Sequence, residues 1–258
     1  MVMDCTRSSA QTAFTAAKVR TEIILVMLLT LGQSAVYAVV SLIAKLSQGP
    51  LSGQTTAMNT SASPRPYLDL TYQLLDIFFN LVPVALVLFL LNLAGYRAWQ
   101  TLGLTLSRPW KDVGWGVALS AAIGVPGLGL YALGRALGIT SEVVPVALHA
   151  LWWTIPVLIL QAVKNAVLEE VIVAGYLVTR LEALGWKPRW IITTSALLRG
   201  SYHLYQGFGP GIANALMGIV FAEYFRRTRR TLPLILAHTL LDTVAFVGYF
   251  LLRSIITT

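Results

Sequence analysis

The chain has little charge, a single cysteine and no phosphate-binding loop. Of its 258 residues, 56% are apolar and only 12% are charged. A soluble chain of this length carries roughly twice that share of charge, so this one could not cover its surface with polar groups. The lone Cys5 excludes an internal disulfide, and ATP-driven transport has no support without a GxxxxGK[ST] sequence. The composition therefore indicates a membrane protein.

Long apolar runs recur along the chain, and each spanning helix needs about 20 such residues. Helices satisfy every backbone donor and acceptor within one segment, and the period-2 alternation of a membrane barrel is absent. We therefore predict an all-α, polytopic transmembrane helix bundle with about seven spans. The fourth span could tilt, kink near Pro156 or begin with an interfacial segment, and the short fifth and sixth could be re-entrant or shallow. The predicted spans are Ile23–Lys45, Leu70–Leu93, Val113–Leu133, His149–Leu184, Trp190–Tyr205, Ile212–Phe225 and Leu232–Leu252.

Basic residues fall on every second connection between these spans, as the positive-inside rule expects. We therefore predict a multi-pass protein of the cell membrane with a cytoplasmic N-terminus. The net charge of +8 is explained by inner loops that face anionic lipid, so membrane lipids are expected partners and nucleic acid is not. The first apolar run is too long for the core of a signal peptide, so we expect an uncleaved first helix.

The predicted parts are a cytoplasmic N-terminal tail (1–21), N-terminal transmembrane helices (22–148) and a C-terminal membrane core (149–258). The connection Ser47–Tyr67 is rich in Ser, Thr, Pro and Gly. That composition predicts a flexible external loop without a core of its own.

Ionisable residues inside the last spans predict a functional site. Such groups are expensive in hydrocarbon, so they normally face the bundle interior or a wet cavity. Glu169 and Glu170 lie in the fourth span, and His203 lies in the fifth. The seventh span contains His238 and, one helical turn later, Asp242. Carboxylates and imidazoles from three helices could meet in one buried site.

The two glutamates point about 100° apart on a helix, so they cannot share one task. Arg199, deep in the fifth span, needs an anionic partner, and either glutamate could serve. Counting residues from the inner loops places His203 level with the glutamates and His238 shallower. A purely structural acid pair, partnered by Lys164 or Asn165 one turn earlier, is the alternative.

Together these residues resemble the CAAX-protease and bacteriocin-processing family of intramembrane proteases. Its first motif is two glutamates followed by three residues and an arginine, and Glu169-Glu170 matches the two glutamates. Its second helix carries phenylalanine, three residues and a histidine, here His203. A later helix carries histidine, three residues, then asparagine or aspartate, here His238 and Asp242. The resemblance covers about residues 150–250.

Two positions depart from the family pattern. Ala174 stands at the arginine position of the first motif, and Arg199 stands at the phenylalanine position of the second. Our hypothesis is that the arginine function has moved to the neighbouring helix. The other reading is that the altered motif marks lost activity.

The resemblance implies a four-helix catalytic core and a glutamate-dependent endopeptidase that cuts a membrane-associated peptide or CAAX-like protein from the cytoplasmic side. Glu169 would activate water, and Glu170 would assist or hold the site through Arg199. His203 and His238 would position water and stabilise the oxyanion. Asp242 would order His238.

The sequence leaves more than one cofactor and more than one function open. Two histidines and a glutamate could bind zinc with an open water position, although the HExxH motif is absent. No residue is assigned to another cofactor. A catalytically inactive membrane scaffold, or a bacteriocin-immunity-type protein, would use the same pocket without turnover. A transporter ranks third because no inverted repeat is evident.

Overall fold

The computed structural model describes the backbone of residues 2–256 and the side chains of residues 15–252. Cys5 therefore lies outside the described side chains. The described chain is an all-α bundle, as predicted, with one small pair of strands. Its helices are α1 (Val2–Leu28), α2 (Leu31–Gln48), α3 (Pro66–Leu93), α4 (Ala98–Thr101), α5 (Pro109–Ala136), α6 (Thr154–Glu169), α7 (Leu177–Ala183), α8 (Pro188–Ser201), α9 (Phe208–Thr228) and α10 (Leu232–Ile256).

Four of these helices, α3, α5, α9 and α10, are long and apolar enough to cross a membrane. Helices α1 and α2 pass that test only as a pair, bent by 51°, so the first predicted span is broken at Leu29–Thr30. Four or five spans are thus supported by length and composition, and the count of seven stays a prediction. The fourth predicted span is interrupted by a non-α segment, and the fifth contains only the 14-residue α8.

That non-α segment, Glu170–Tyr176, is a π-helix that joins α6 to α7. All seven of its residues are buried, and they pack against α8, α9 and α3. A π-helix adds a residue to the turn and so shifts the faces of the two flanking α-helices, and such segments are frequent at functional sites. This one begins at the second glutamate of the predicted site.

The sequence sets where α8 begins and how closely α9 lies beside it. Gly185 has φ 74°, the left-handed conformation that ends α7, and Pro188 starts α8 at a position where a missing N–H costs nothing. Helix α9 then approaches α8 at Gly218, where an added Cβ would lie 2.9 Å from the Cα of Ala196. Small residues permit such close approach.

The connection between α2 and α3 is more ordered than we predicted. Within Ser47–Tyr67 a 3₁₀ turn, Leu51–Gly53, is followed by β1 (Thr55–Ala57). This strand pairs in parallel with β2 (Glu142–Val144), with Thr55 opposite Glu142. The polar composition concealed this order because Thr56, which is 6% exposed, packs through its hydroxyl 2.6 Å from that of Ser141.

Lys45 ties α2 to the segment that follows α8. Its ammonium group donates to the Tyr205 carbonyl over 2.7 Å and contacts the Thr56 hydroxyl. Tyr205 lies in the 3₁₀ turn Leu204–Gln206, directly after His203. The bent N-terminal helix pair is therefore anchored beside the predicted site.

Candidate functional site

A buried ion pair forms the centre of the site. Glu170, at the start of the π-helix, and Arg199, near the end of α8, are 0% and 1% exposed. Arg199 donates from Nη1 to Glu170 Oε2 over 3.0 Å and from Nη2 to Oε1 over 2.6 Å. This two-bond geometry fixes both side chains and is the strongest form of a carboxylate–guanidinium contact.

The pocket around Arg199 is shaped for a guanidinium. Phe221 lies 5.1 Å beneath its Cζ, close enough for a cation–π contact. Gly218 leaves room for the arginine stem, because an added Cβ there would lie 3.3 Å from Arg199 Cβ and Cδ. Ala174, at the family's arginine position, is 1% exposed within the π-helix. The guanidinium therefore reaches the glutamates from α8.

His238 lies on α10 between two carboxylates. Its Nδ1 is 2.7 Å from Glu170 Oε1, and its Nε2 is 3.6 Å from Asp242 Oδ2. An ionised carboxylate only accepts, so Nδ1–H donates to Glu170. Asp242 also accepts a hydrogen bond of 3.3 Å from Asn165 Nδ2. Helices α6, α8 and α10 are thereby joined in one polar network.

Glu169 differs from Glu170 in what its oxygens contact. The Tyr202 hydroxyl donates to Glu169 Oε2 over 2.7 Å, and Arg199 Nη2 lies 3.3 Å from the same atom. Among the described side chains, none donates to Oε1. Glu169 is also 9% exposed whereas Glu170 is fully buried. One carboxylate oxygen of Glu169 is therefore left for a water molecule or a substrate.

His203 follows the end of α8 rather than lying on it, because α8 stops at Ser201. Its Nδ1 is 3.0 Å from the Arg199 carbonyl oxygen. A carbonyl only accepts, so the ring carries its hydrogen on Nδ1 and, when neutral, presents a lone pair on Nε2. The ring packs 4.8 Å from that of Tyr202 and is close enough to Glu169 to interact with it electrostatically. All six predicted site residues are thus gathered in one region.

Two polar contributors were not assigned to the site from the sequence. Tyr202 immediately precedes His203, and its buried hydroxyl was concealed by the apolar ring. Asn165 was considered only as a partner of the glutamates, but it binds Asp242, while Lys164 pairs with Asp76 at 3.3 Å. The sequence signal that could have placed Asn165 in the site was its spacing, one helical turn before Glu169.

The depth predicted for His238 was wrong, since it lies level with Glu170 and contacts it. The connection before α10 is folded deep into the bundle: the Thr231 N–H donates to the Leu102 carbonyl over 3.0 Å. The Thr231 hydroxyl also lies 3.3 Å from where a Cβ on Gly175 would be. Counting residues from the loop assumed that this connection ended at the membrane surface.

A possible set of metal ligands was compared with this geometry. Glu169, Glu170 and His238 place one ligand atom each within 4.8 Å of one another, and His203 is not in that group. The guanidinium of Arg199 lies among these atoms and takes both oxygens of Glu170. The position that would attract a metal cation is therefore held by a cation of the chain itself, and the residues fit a metal poorly.

The fold and the site define a class of protein: a helical membrane protein with a buried network of carboxylates, histidines and an arginine in its C-terminal half. Residues 150–244 match the family described as type II CAAX prenyl endopeptidase Rce1-like, so this region is similar to that family, as its motifs indicated. This is a family of proteases. Comparisons with curated proteins and with solved structures gave no match.

Proposed function

We propose that this protein is an intramembrane endopeptidase that hydrolyses a membrane-associated peptide with Glu169 as general base. The observation that carries the proposal is the asymmetry of the Glu169 carboxylate. Tyr202 and Arg199 hold Oε2, which leaves Oε1 to accept a proton from water. A positioned general base of this kind contributes roughly 10²–10⁴-fold to a rate.

Water is oriented by two acceptors in this proposal. A water molecule between Glu169 Oε1 and His203 Nε2 can donate one hydrogen to each, which aims an oxygen lone pair at the substrate. The hydrogen bond from His203 Nδ1 to the Arg199 carbonyl supports this role, because it keeps the lone pair on Nε2. His203 therefore acts as a positioning acceptor for water rather than as an oxyanion donor, as the sequence analysis had allowed.

The reaction then follows ordinary amide hydrolysis. As the water oxygen bonds to the carbonyl carbon, its proton passes to Glu169 Oε1, and the carbonyl electrons move to its oxygen. When the carbonyl re-forms, the C–N bond breaks and the proton on Glu169 passes to the leaving nitrogen. The carboxylate of Glu169 is thereby regenerated.

The developing oxyanion needs a donor, and we assign that task to His238. Two carboxylates face its two ring nitrogens, an arrangement that suits an N–H on each. Because the contact of Nε2 with Asp242, at 3.6 Å, is longer than a hydrogen bond, this N–H is available to a substrate oxygen. One donor of this kind typically contributes about 2.7–4 kcal/mol to the barrier.

We further propose that the reaction does not use a metal, since Arg199 occupies the position a metal would take. Purified protein should contain less than stoichiometric zinc, and prolonged treatment with a chelator should leave peptide hydrolysis unchanged. Loss of hydrolysis on chelation, with recovery on addition of zinc, would overturn this part of the proposal.

The test of the main proposal compares Glu169→Gln with Glu142→Gln, which alters an exposed residue of β2. Glu169→Gln should abolish processing of a membrane peptide in cells while the amount of folded protein stays normal. Glu142→Gln should behave as wild type. Full activity in Glu169→Gln would instead favour the alternative function, a scaffold that binds peptides without cutting them.

We also propose that the N-terminus is cytoplasmic. Cys5 is the only cysteine, so it can report the orientation. In intact cells a membrane-impermeant maleimide should label Cys5 only after the membrane is permeabilised. Labelling of intact cells would reverse the orientation.

A further inference from the structure

A groove of about 560 Å³ lies beside the site, between α2 and the end of α8. Tyr202 separates the groove from Glu169, because its side chain lines the groove and its hydroxyl binds Glu169 Oε2. The volume lies within the range of roughly 300–1,000 Å³ that is typical of binding pockets. The lining residues are Gln33, Ser34, Tyr37, Ala38, Ser41, Tyr202 and Tyr205.

The α2 wall of this groove is polar although the helix is part of a candidate membrane span. Gln33, Ser34 and Tyr37 are exposed, and Ser41 is partly exposed. Their side chains make no hydrogen bond with any residue that the structure describes. Polar groups that face hydrocarbon without a partner are costly, so this wall is built to meet a ligand that supplies donors and acceptors.

The spacing of these groups fits an extended polypeptide. Gln33, Tyr37 and Ser41 recur every four residues, which is about 6 Å along a helix. In an extended chain every second residue recurs at about 6.4–6.8 Å, each with a backbone N–H and C=O. The three groups span about 12 Å, enough to hold roughly four extended residues.

We propose that this groove binds the substrate as an extended peptide and that its polar α2 wall, rather than a lipid-binding surface, determines which substrates are cut. The inference rests on the proposed protease function. An isoprenoid or acyl chain could pack on the tyrosine rings but would leave the polar groups of Gln33, Ser34 and Ser41 unpaired, and Ala38 is the sole aliphatic side chain among the lining residues. A peptide docked here contacts Tyr202, whose hydroxyl binds Glu169 Oε2.

The first experiment measures hydrolysis of one peptide sequence with and without a farnesyl group. The variant combines Gln33→Leu, Tyr37→Phe and Ser41→Ala, and the control is Ile43→Leu, an exposed position that points away from the groove. The combined variant should raise KM for the unmodified peptide by at least about tenfold with kcat changed less than twofold. Ile43→Leu should match wild type. An unchanged KM, or cleavage of the farnesylated peptide alone, would overturn the proposal.

A second experiment separates this inference from the proposed function. A photo-crosslinking amino acid replaces Tyr37 in protein that also carries Glu169→Gln, so binding is measured without turnover. Crosslinking to the unmodified peptide supports the groove even if the wild type shows no hydrolysis. If only lipid is crosslinked although the wild-type protein hydrolyses the peptide, the groove is not the substrate site and the proposed protease function is unaffected.

Discussion

The two sides of the site differ in how completely they are closed. On the ion-pair side, Glu170, Arg199 and His238 are buried, and Glu170 accepts hydrogen bonds from both Arg199 and His238. On the groove side, Glu169 keeps a free oxygen and His203 keeps a free ring nitrogen, and Tyr202 borders an open groove. We therefore propose that the adjacent glutamates have different roles, with Glu170 holding the helices together and Glu169 taking part in the reaction.

The largest expected effect comes from breaking the ion-pair side. Arg199→Ala would leave the buried Glu170 without its guanidinium partner, and breaking a buried ion pair typically costs about 3–5 kcal/mol. The free energy of unfolding in detergent should fall by that amount. Arg227→Ala is the control, since its partner Glu223 is shared with Arg226 and its side chain is 72% exposed, so it should cost no more than about 1 kcal/mol.

The same variant tests the relocation of the arginine. Adding Ala174→Arg to Arg199→Ala should recover part of the lost stability, because both positions can direct a guanidinium at Glu170. No recovery of folding or activity in the double variant would contradict relocation.

A smaller effect is expected where the two sides meet. Tyr202→Phe removes the hydrogen bond to Glu169 Oε2, and a bond to a charged group is worth about 1.5–3 kcal/mol. We expect kcat for peptide hydrolysis to fall by about ten- to a hundredfold, and the free energy of unfolding to fall by no more than about 3 kcal/mol. Tyr131→Phe is the control, because that hydroxyl accepts from the Val143 N–H outside the site. Equal rates of peptide hydrolysis in the two variants would show that Tyr202 does not support the reaction at Glu169.

The smallest effect is expected at Asp242. Asp242→Asn keeps an oxygen for Asn165 and His238, so kcat/KM should fall by less than about tenfold. Asp242→Ala removes that acceptor and should cost more. A larger loss in Asp242→Asn than in Asp242→Ala would show that the geometry around His238 has been misassigned.

The sequence predicted the membrane class, the helical bundle and the proximity of the six candidate site residues because apolar runs and isolated charges within them are local signals. It could not predict the π-helix at Glu170, whose seven buried residues pack against α3, α8 and α9. It also placed His238 too shallow, since the fold of the Arg229–Thr231 connection depends on contacts with Leu102 and Gly175. Tyr202 was missed because a tyrosine in an apolar segment carries no distinctive pattern.

The most direct measurement compares Glu169→Gln and Glu170→Gln in the same preparation, by peptide hydrolysis and by the free energy of unfolding. Glu169→Gln should lower kcat by at least about a hundredfold and leave unfolding almost unchanged. Glu170→Gln should lower the free energy of unfolding by about 3 kcal/mol or more. If Glu170→Gln were stable but inactive while Glu169→Gln still hydrolysed the peptide, the division of labour between the two glutamates would be wrong.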